Sequence, residues 1–272
     1  MERQKPLPSS EVIVSVQDLT IKYGDSVVLN NLSADFNRSE VKVVLGKSGC
    51  GKTTLLKAIV GLLKADAGTI RLFGEELGDP DSLRTSQILR KTGVLFQNGA
   101  LLGSLTVEDN IALPLTMHTT LPSKLIKEMV HYKLSQVDLH HAAALYPEEL
   151  SGGMKKRAAL ARALALDPPL LFCDEPSAGL DPVTSAGLDD LLLKLRDGLG
   201  ITIIVVTHEI FSIEKIADKI LFLNKGNILF DGKLSEAQKM DSGPVADFFK
   251  RNELTISQQQ IEKPDFTLEY TK

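Results

Sequence analysis

The sequence predicts an α/β protein in which helices cover a largely parallel sheet, and three observations predict it. Four stretches, "VKVVL", "GVLF", "LLFCD" and "ITIIVVT", are near-continuous apolar runs, the pattern of strands buried on both faces. Helical patterns lie between them, at Lys52 to Gly61, Ser123 to Val137, Ser151 to Leu166 and Val183 to Leu199. A different strand type opens the chain: "EVIVSVQDLTIKY" alternates with period two, as a partly exposed antiparallel strand does.

The bulk numbers fit a globular chain with a substantial core. At 272 residues and 43% hydrophobic, it is long enough for one large domain or two small ones. A formal net charge of -4 argues against a general nucleic-acid binder, because nonspecific phosphate binding rests on a basic surface. Any anion site is therefore local. Two cysteines, Cys50 and Cys173, are too few for a disulfide framework, so the chain reads as cytoplasmic. No apolar run approaches the roughly 18 residues of a membrane-spanning helix. The first residues, "MERQKPLPSSE", lack the features of a secretory signal and read as a loose leader.

Along the chain, no convincing buried strand falls between "GVLFQ" and "LLFCD", so a mostly helical insertion is expected from about Asn98 to Leu166. Further on, "KILFLNKGNILFDG" places Lys225, Gly226 and Asn227 between two apolar runs, as in a hairpin. After Gly243 come a short helical pattern, "PVADFFKRNEL", and a polar tail, "SQQQIEKPDFTLEYTK". No internal repeat is present.

The chemistry begins at "LGKSGCGKTT". Gly46 to Thr53 fits G-x-x-x-x-G-K-[ST], with a buried strand before it and the helical "KTTLLKAIVGLL" after it. Glycines at 46, 49 and 51 allow the backbone N–H groups of this loop, with Lys47, Ser48 and Cys50 between them, to turn inward as an anion nest. A helix N-terminus caps the nest. Lys52 is expected at the β- and γ-phosphates, the hydroxyl of Thr53 on Mg²⁺, and that of Thr54 near the α-phosphate. If nucleotide binds there, a thiol reagent at Cys50 is expected to inhibit, with ATP protecting.

Adjacent acids end "LLFCDEP", where a buried parallel strand emerges and ligands bind. Asp174 is expected to hold Mg²⁺ through water, and Glu175 to act as general base on the attacking water. Gln97 ends "GVLFQ" and His208 ends "ITIIVVTH". Each is weak alone, since a lone His or Gln at a strand end is more often a surface residue. Their shared topological position makes them candidates for contact with γ-phosphate, metal or water. "ELSGGMKKRAALARALALDPP" starts a further amphipathic helix with Ser-Gly-Gly. On this stretch alone the simpler reading is Ser151 as an N-cap, with Lys155 and Lys156 on a solvated face.

Taken together, the motifs resemble the ABC-transporter ATPases. They are "KYG" with Tyr23, "GKSGCGKTT", Gln97, "LSGGM", "LLFCDE", "SAGLD" and His208, in family order, over about Val12 to Gly232. The resemblance implies a P-loop NTPase core of ABC type: a mainly parallel sheet, an antiparallel β subdomain and the inserted helical subdomain, about 98–166. It divides the chain into a leader (1–10), a nucleotide-binding domain (11–240), and a C-terminal helix with polar tail (241–272). It also implies that Tyr23 stacks on adenine, and that ATP is sandwiched in a head-to-tail dimer. Ser151, Gly152 and Gly153 of one copy would then face the γ-phosphate held by the other. Asp181 would couple the two sites, and His208 would sense the γ-phosphate. Met154 departs from the commoner glutamine.

"FQNGALLGSLTVEDNIALPL" with "LSGGMKKRAALARALALDP" is similar to ATPases of the Mla and Mce-associated lipid transporters. This implies phospholipid or related hydrophobic cargo moved between bacterial inner and outer membranes. The partners implied are a second copy of the chain, an integral-membrane permease, an Mce-type lipid-binding protein and a small regulatory subunit, with no nucleic acid. The place implied is the cytoplasmic face of the inner membrane. Ala100, Leu101, Leu102 and Leu105, after Gln97, suit a docking loop for a permease helix or a subdomain core. Three other functions remain: the ATPase of a solute transporter, a soluble ABC-type regulator, and a noncatalytic module. The lack of a coiled-coil insertion counts against the regulator, and Glu175 with His208 against the noncatalytic module.

Overall fold

The computed structural model describes residues 11–250. The strands run β1 (Val12–Tyr23), β2 (Ser26–Asn37), β3 (Val41–Gly46), β4 (Ala67–Leu72), β5 (Glu75–Glu76), β6 (Thr92–Leu95), β7 (Leu170–Asp174), β8 (Thr202–Val206), β9 (Lys219–Asn224) and β10 (Asn227–Lys233). The helices are α1 (Lys52–Ile59), α2 (Leu83–Leu89), α3 (Val107–His118), α4 (Ser123–Gln136), α5 (Gly152–Ala163), α6 (Pro182–Leu199), α7 (Ile210–Ile216) and α8 (Leu234–Ala237). A last helical segment covers 244–250, while the leader and the polar tail lie outside the described residues.

Two sheets result: a six-stranded one in the order β10-β9-β3-β8-β7-β6, and a four-stranded one in the order β2-β1-β4-β5. All neighbours in the first are parallel except the edge pair β9 and β10, and all in the second are antiparallel. The continuous apolar runs have a direct cause, because each parallel strand divides its side chains between two covering layers. Val43, Leu45, Leu171, Cys173, Ile203, Val205, Ile220 and Phe222 face a core shared with α3 to α7. Val44, Phe172, Ile204, Val206, Leu221 and Leu223 face a second core, shared with α1 and the antiparallel sheet.

Lys42 interrupts "VKVVL" and is still buried. Its ammonium sits 2.6 Å from Asp231 Oδ1, 2.6 Å from the Asp35 carbonyl and 4.8 Å from the centre of the Phe36 ring. Both cation and acceptors are satisfied, as burial of a charge requires.

β2 and α3 are not legible from periodicity. The β1–β2 pairing shifts register repeatedly, and Asp18 and Asn31 adopt positive φ, so the alternation along "SVVLNNLSADFN" is blurred. α3 carries Pro114 inside it, which reads in sequence as a break, yet its start is capped by Thr106 accepting from Asp109 N at 3.2 Å.

The β9–β10 hairpin is tighter than the three turn residues suggested. Lys225 (φ 48°) and Gly226 (φ 76°) form a two-residue turn with both φ positive, and Asn227 already belongs to β10. This turn is wedged against β2 and the segment after β3: Gly226 N donates to Cys50 O at 3.1 Å, and Asn30 N donates to Gly226 O at 3.1 Å. A Cβ on Gly226 would lie 2.4 Å from the Val28 carbonyl. Gly226→Ala is therefore expected to lower unfolding free energy in urea by more than about 1 kcal/mol, whereas Lys225→Asn, tolerant of positive φ, leaves the midpoint near its original value.

Candidate nucleotide site

The loop between β3 and α1 turns on three glycines at positive φ: Gly46 (148°), Gly49 (76°) and Gly51 (107°). At Gly46 a Cβ would sit 2.1 Å from the Leu223 carbonyl, and at Gly51 one would sit 2.6 Å from Leu29 Cδ2. The loop is thus pressed onto β9 and β2 at positions that admit only glycine. It opens on a cavity of about 690 Å³ lined by Gly46, Lys47, Ser48, Gly49, Gly51, Lys52, Thr53 and Thr54. Gln97, Glu175 and His208 line the same cavity. Three strand tips and the loop, far apart in sequence, therefore meet at one place, as the parallel arrangement demands.

Lys52 directs its ammonium back to the loop, donating to the Gly46 carbonyl at 2.8 Å and the Lys47 carbonyl at 3.2 Å. Cys50 corrects an expectation. Its side chain turns away from the cavity into the core and is 4% exposed, while its N–H donates to the Lys47 carbonyl at 3.2 Å. Burial pushes its thiol pKa up, with Lys52 opposing. A buried, protonated thiol is a poor nucleophile, so Cys50 is not the reagent-sensitive group that its position in the motif suggested.

At the tip of β7, Glu175 adopts φ 46°, a left-handed conformation that is uncommon for a glutamate. Its N–H donates to the Val206 carbonyl at 2.8 Å, and its Oε1 lies 2.8 Å from His208 Nδ1. Asp174 Oδ1 and Glu175 Oε2 are buried without a hydrogen-bond partner. Burial raises the pKa of Asp174, and the neighbouring Glu175 raises it further, against Lys57, Lys156 and Lys52. Orphaned carboxylate oxygens beside a cavity that Thr53 also lines fit a hard divalent cation such as Mg²⁺.

Comparison with known proteins decides the family. The ABC transporter family model matches residues 29–178. A protein of Haemophilus influenzae called "Intermembrane phospholipid transport system ATP-binding protein MlaF" is 38% identical over 238 residues, 88% of this chain and 90% of that protein. A Mycobacterium leprae protein called "Probable ribonucleotide transport ATP-binding protein mkl" is 35% identical over 94% of this chain and 74% of that one. Among solved structures, the dimeric ATP-binding cassette MJ0796 in a post-hydrolysis state with ADP and Pi superposes with a TM-score of 0.74 at 30% identity. It covers 81% of this chain and 98% of that one. The chain belongs to the ABC transporter family. It is a nucleotide-binding, ATP-hydrolysing transporter subunit, and its helical insertion and antiparallel sheet are those of an ABC cassette.

In this ABC ATPase, several motif residues stand outside the loop's own cavity. Ser151 caps α5 by accepting from Met154 N at 3.3 Å, and neither it nor Gly152 or Gly153 lines the cavity. A Cβ on Gly153 would lie 2.4 Å from Thr184 Cγ2, so the Ser151 turn is packed on the start of α6. Asp181 caps α6, accepting from Val183 N at 3.1 Å and Thr184 N at 3.0 Å; its pKa is lowered by the Thr184 side chain first and then by these backbone bonds. Met154 packs against the core beneath the helices, which accounts for an apolar residue there. Tyr23 ends β1, half exposed, and is not part of the cavity lining; Val28, Phe222, Pro244, Asp247 and Phe248 are.

Two buried polar side chains that hold segments at or next to the site escaped sequence reading. Asn110 is fully buried in α3 and holds the segment after Gln97: its Oδ1 accepts from Leu102 N at 2.8 Å, and its Nδ2 donates to the carbonyls of Leu102, Leu105 and Thr106. Within that segment Leu101 packs on the core and Leu102 is exposed. Lys156 was assigned to a solvated face and is instead buried, donating to the carbonyls of Gln97 and Glu175. Its acceptors lie far off in sequence, so no local signal announces them.

The cysteine geometry yields a direct check. Cys50 and Cys173, the only two, are both buried, and burial raises both thiol pKa values. Native protein at pH 8 should take up a disulfide-exchange reagent at neither site, with or without ATP, and at both after denaturation. Rapid labelling of one thiol in native protein, slowed by ATP, would restore Cys50 to the site.

Proposed function

We propose that this ABC ATPase powers movement of phospholipid or related hydrophobic cargo between bacterial membranes, working as a dimer that shares two ATP sites. The observation that carries the chemistry is the 2.8 Å contact between Glu175 and His208 at the rim of the cavity that the phosphate loop lines. The loop N–H groups, with Lys52, hold the polyphosphate; Lys52 leaves its present carbonyl acceptors for the β- and γ-phosphates. Thr53, Gln97 and Asp174 would hold Mg²⁺, which supplies charge neutralisation at the phosphate oxygens. Glu175 removes a proton from water as the water oxygen bonds to the γ-phosphorus and the bridging P–O bond to ADP breaks. His208 orients the Glu175 carboxylate and senses the γ-phosphate.

Ser151, Gly152 and Gly153 are assigned to the γ-phosphate of a second copy, since α5 presents its N-terminal turn outside its own cavity. Asp181 at the neighbouring turn is assigned to coupling between sites, and Tyr23 to stacking on adenine. ATP that touches both copies favours closure, and hydrolysis removes that preference. Among the described residues no helix is long and apolar enough to cross a membrane. Attachment to the cytoplasmic face of the inner membrane is assigned to an integral-membrane permease, with an Mce-type lipid-binding protein and a small regulatory subunit as further partners. The name of the mycobacterial relative favours a second reading, the ATPase of a solute transporter. Purification in mild detergent, with mass spectrometry of the proteins and small molecules that accompany the chain, separates the two.

Glu175→Gln should keep ATP binding and slow hydrolysis by about 10²-fold or more, the scale for loss of a general base. In the same assay Lys52→Ala should weaken ATP affinity. The ATP-bound Glu175→Gln protein should also run as a dimer in gel filtration, and a monomer there would count against the shared site.

A further inference from the structure

Three lysines are buried among the described residues, and they do different things. Lys42 and Lys133 each meet a carboxylate, Asp231 and Asp167, as charges buried for structural reasons do. Lys156, 6% exposed, hydrogen-bonds instead to two main-chain carbonyls, and both belong to residues that line the nucleotide cavity. We infer that Lys156 is a positioning residue that sets the γ-phosphate-facing groups Gln97 and Glu175 of one site, and ties them to the Ser151 turn that serves the other. The inference rests on the shared-site reading above.

The backbone of Glu175 supplies the first argument. A glutamate at φ 46° does not hold that conformation by itself, and both its main-chain polar groups are fixed: the N–H by the Val206 carbonyl, the C=O by Lys156 at 3.0 Å and by the Ala178 N–H of the following turn at 3.2 Å. Those bonds orient the peptide planes on either side of Cα, and with them the direction in which the carboxylate leaves toward His208; of the two donors to the C=O, Lys156 is the one that comes from another element. Gln97 follows the neighbouring strand β6, and the same ammonium gathers its carbonyl. One cation thus fixes the spacing between two residues that must face the same phosphate. Its charge also attracts the carboxylates of Asp174 and Glu175.

The second argument is the helix that carries Lys156. α5 starts at the Ser151 cap, and five residues at about 1.5 Å rise each put Lys156 roughly 7.5 Å along its axis. A helix segment of this length moves as a rigid body. Any displacement of the Ser151 turn, when it meets or leaves a partner's nucleotide, therefore reaches the carbonyls of Gln97 and Glu175 in its own chain through one side chain. Removing the ammonium leaves the Gln97 carbonyl without its donor, leaves the Glu175 carbonyl with the Ala178 N–H alone, and cuts the direct tie between α5 and both residues.

The test uses the full chain with its membrane partners, measuring ATP turnover, ATP affinity and thermal midpoint. Lys156→Met should lower kcat about 10- to 100-fold, the scale of a misplaced catalytic group, with KM and ATP affinity within about twofold of wild type. Lys156→Arg, which still offers donors to both carbonyls, should recover at least half of kcat. Lys133→Met, the structural comparison, should lower the thermal midpoint without a selective loss of kcat. In a double-mutant cycle, Ser151→Ala and Lys156→Met together should lose less than the product of their separate losses, as coupled sites do. Should Lys156→Met not fold, Lys156→Gln decides by the same split of kcat from KM. Wild-type kcat in the Lys156 variants, equal changes in kcat and KM, or multiplicative losses in the cycle would each overturn the inference. Glu175→Gln run in parallel keeps the outcomes apart: if it is inactive while Lys156→Met is normal, only this inference fails. Full activity in Glu175→Gln sinks the general-base reading instead.

Discussion

A strand covered on both faces has nowhere to put a charge except its tips, and most of this molecule follows from that constraint. β3, β7, β8 and β9 bury their side chains alternately in two cores, so polar groups collect where the strands end. Because β3, β6, β7 and β8 run parallel, they end along one edge. Gly46, Gln97, Asp174 with Glu175, and His208 are the residues found there or just beyond. The site is the unavoidable polar margin of an apolar sheet. Lys42 shows what an exception requires: a charge within β3 survives only with a carboxylate, a carbonyl and an aromatic face around it.

Close backbone approach is the second constraint, and it binds the loop to the rest of the fold. Gly46 lies against the Leu223 carbonyl of β9, and the Cys50 carbonyl accepts from Gly226 in the β9–β10 turn. Gly226 in turn holds Asn30 of β2. The phosphate loop is therefore gripped between the edge hairpin of one sheet and the edge strand of the other. Its shape depends on long-range packing as much as on its own glycines, and so does the direction in which Cys50 turns.

This explains what was legible in the sequence. The buried parallel strands, the helices at 52–59, 123–136, 152–163 and 182–199, and the meeting of loop, Glu175, Gln97 and His208 were legible because each follows from periodicity or from position relative to a strand end. Features that depend on a partner far along the chain were not. Lys156 sits on a helix whose face looked solvated, and its acceptors are 59 and 19 residues away. Asn110 lies inside a helix that Pro114 disguises, and the alternation of β2 is interrupted where Asn31 takes positive φ. Cys50 sits in a loop whose neighbours face the ligand cavity, while its own side chain is needed to fill the core behind Gly46.

Charge completes the account of why these parts must act together. The loop side of the site carries Lys47 and Lys52 and the N-terminus of α1, with no acid in that first turn. The β7 side carries the adjacent acids Asp174 and Glu175, and burial, then the neighbouring Glu175, raises the cost of ionising Asp174. β8 separates β3 from β7, so the strands that carry the two sides stand two spacings apart, roughly 10 Å between their axes. A bare polyphosphate would be drawn to the first side and repelled by the second. A polyphosphate that arrives with a divalent cation would match both, its anionic part meeting the loop and its cation the orphaned oxygens Asp174 Oδ1 and Glu175 Oε2. The same pairing favours ionised Asp174, opposing the burial that raises its pKa. The parallel order of strands thus does more than collect polar residues: it sets the cationic loop and the paired carboxylates on one edge with a single strand between them, where the proposed magnesium nucleotide would meet both.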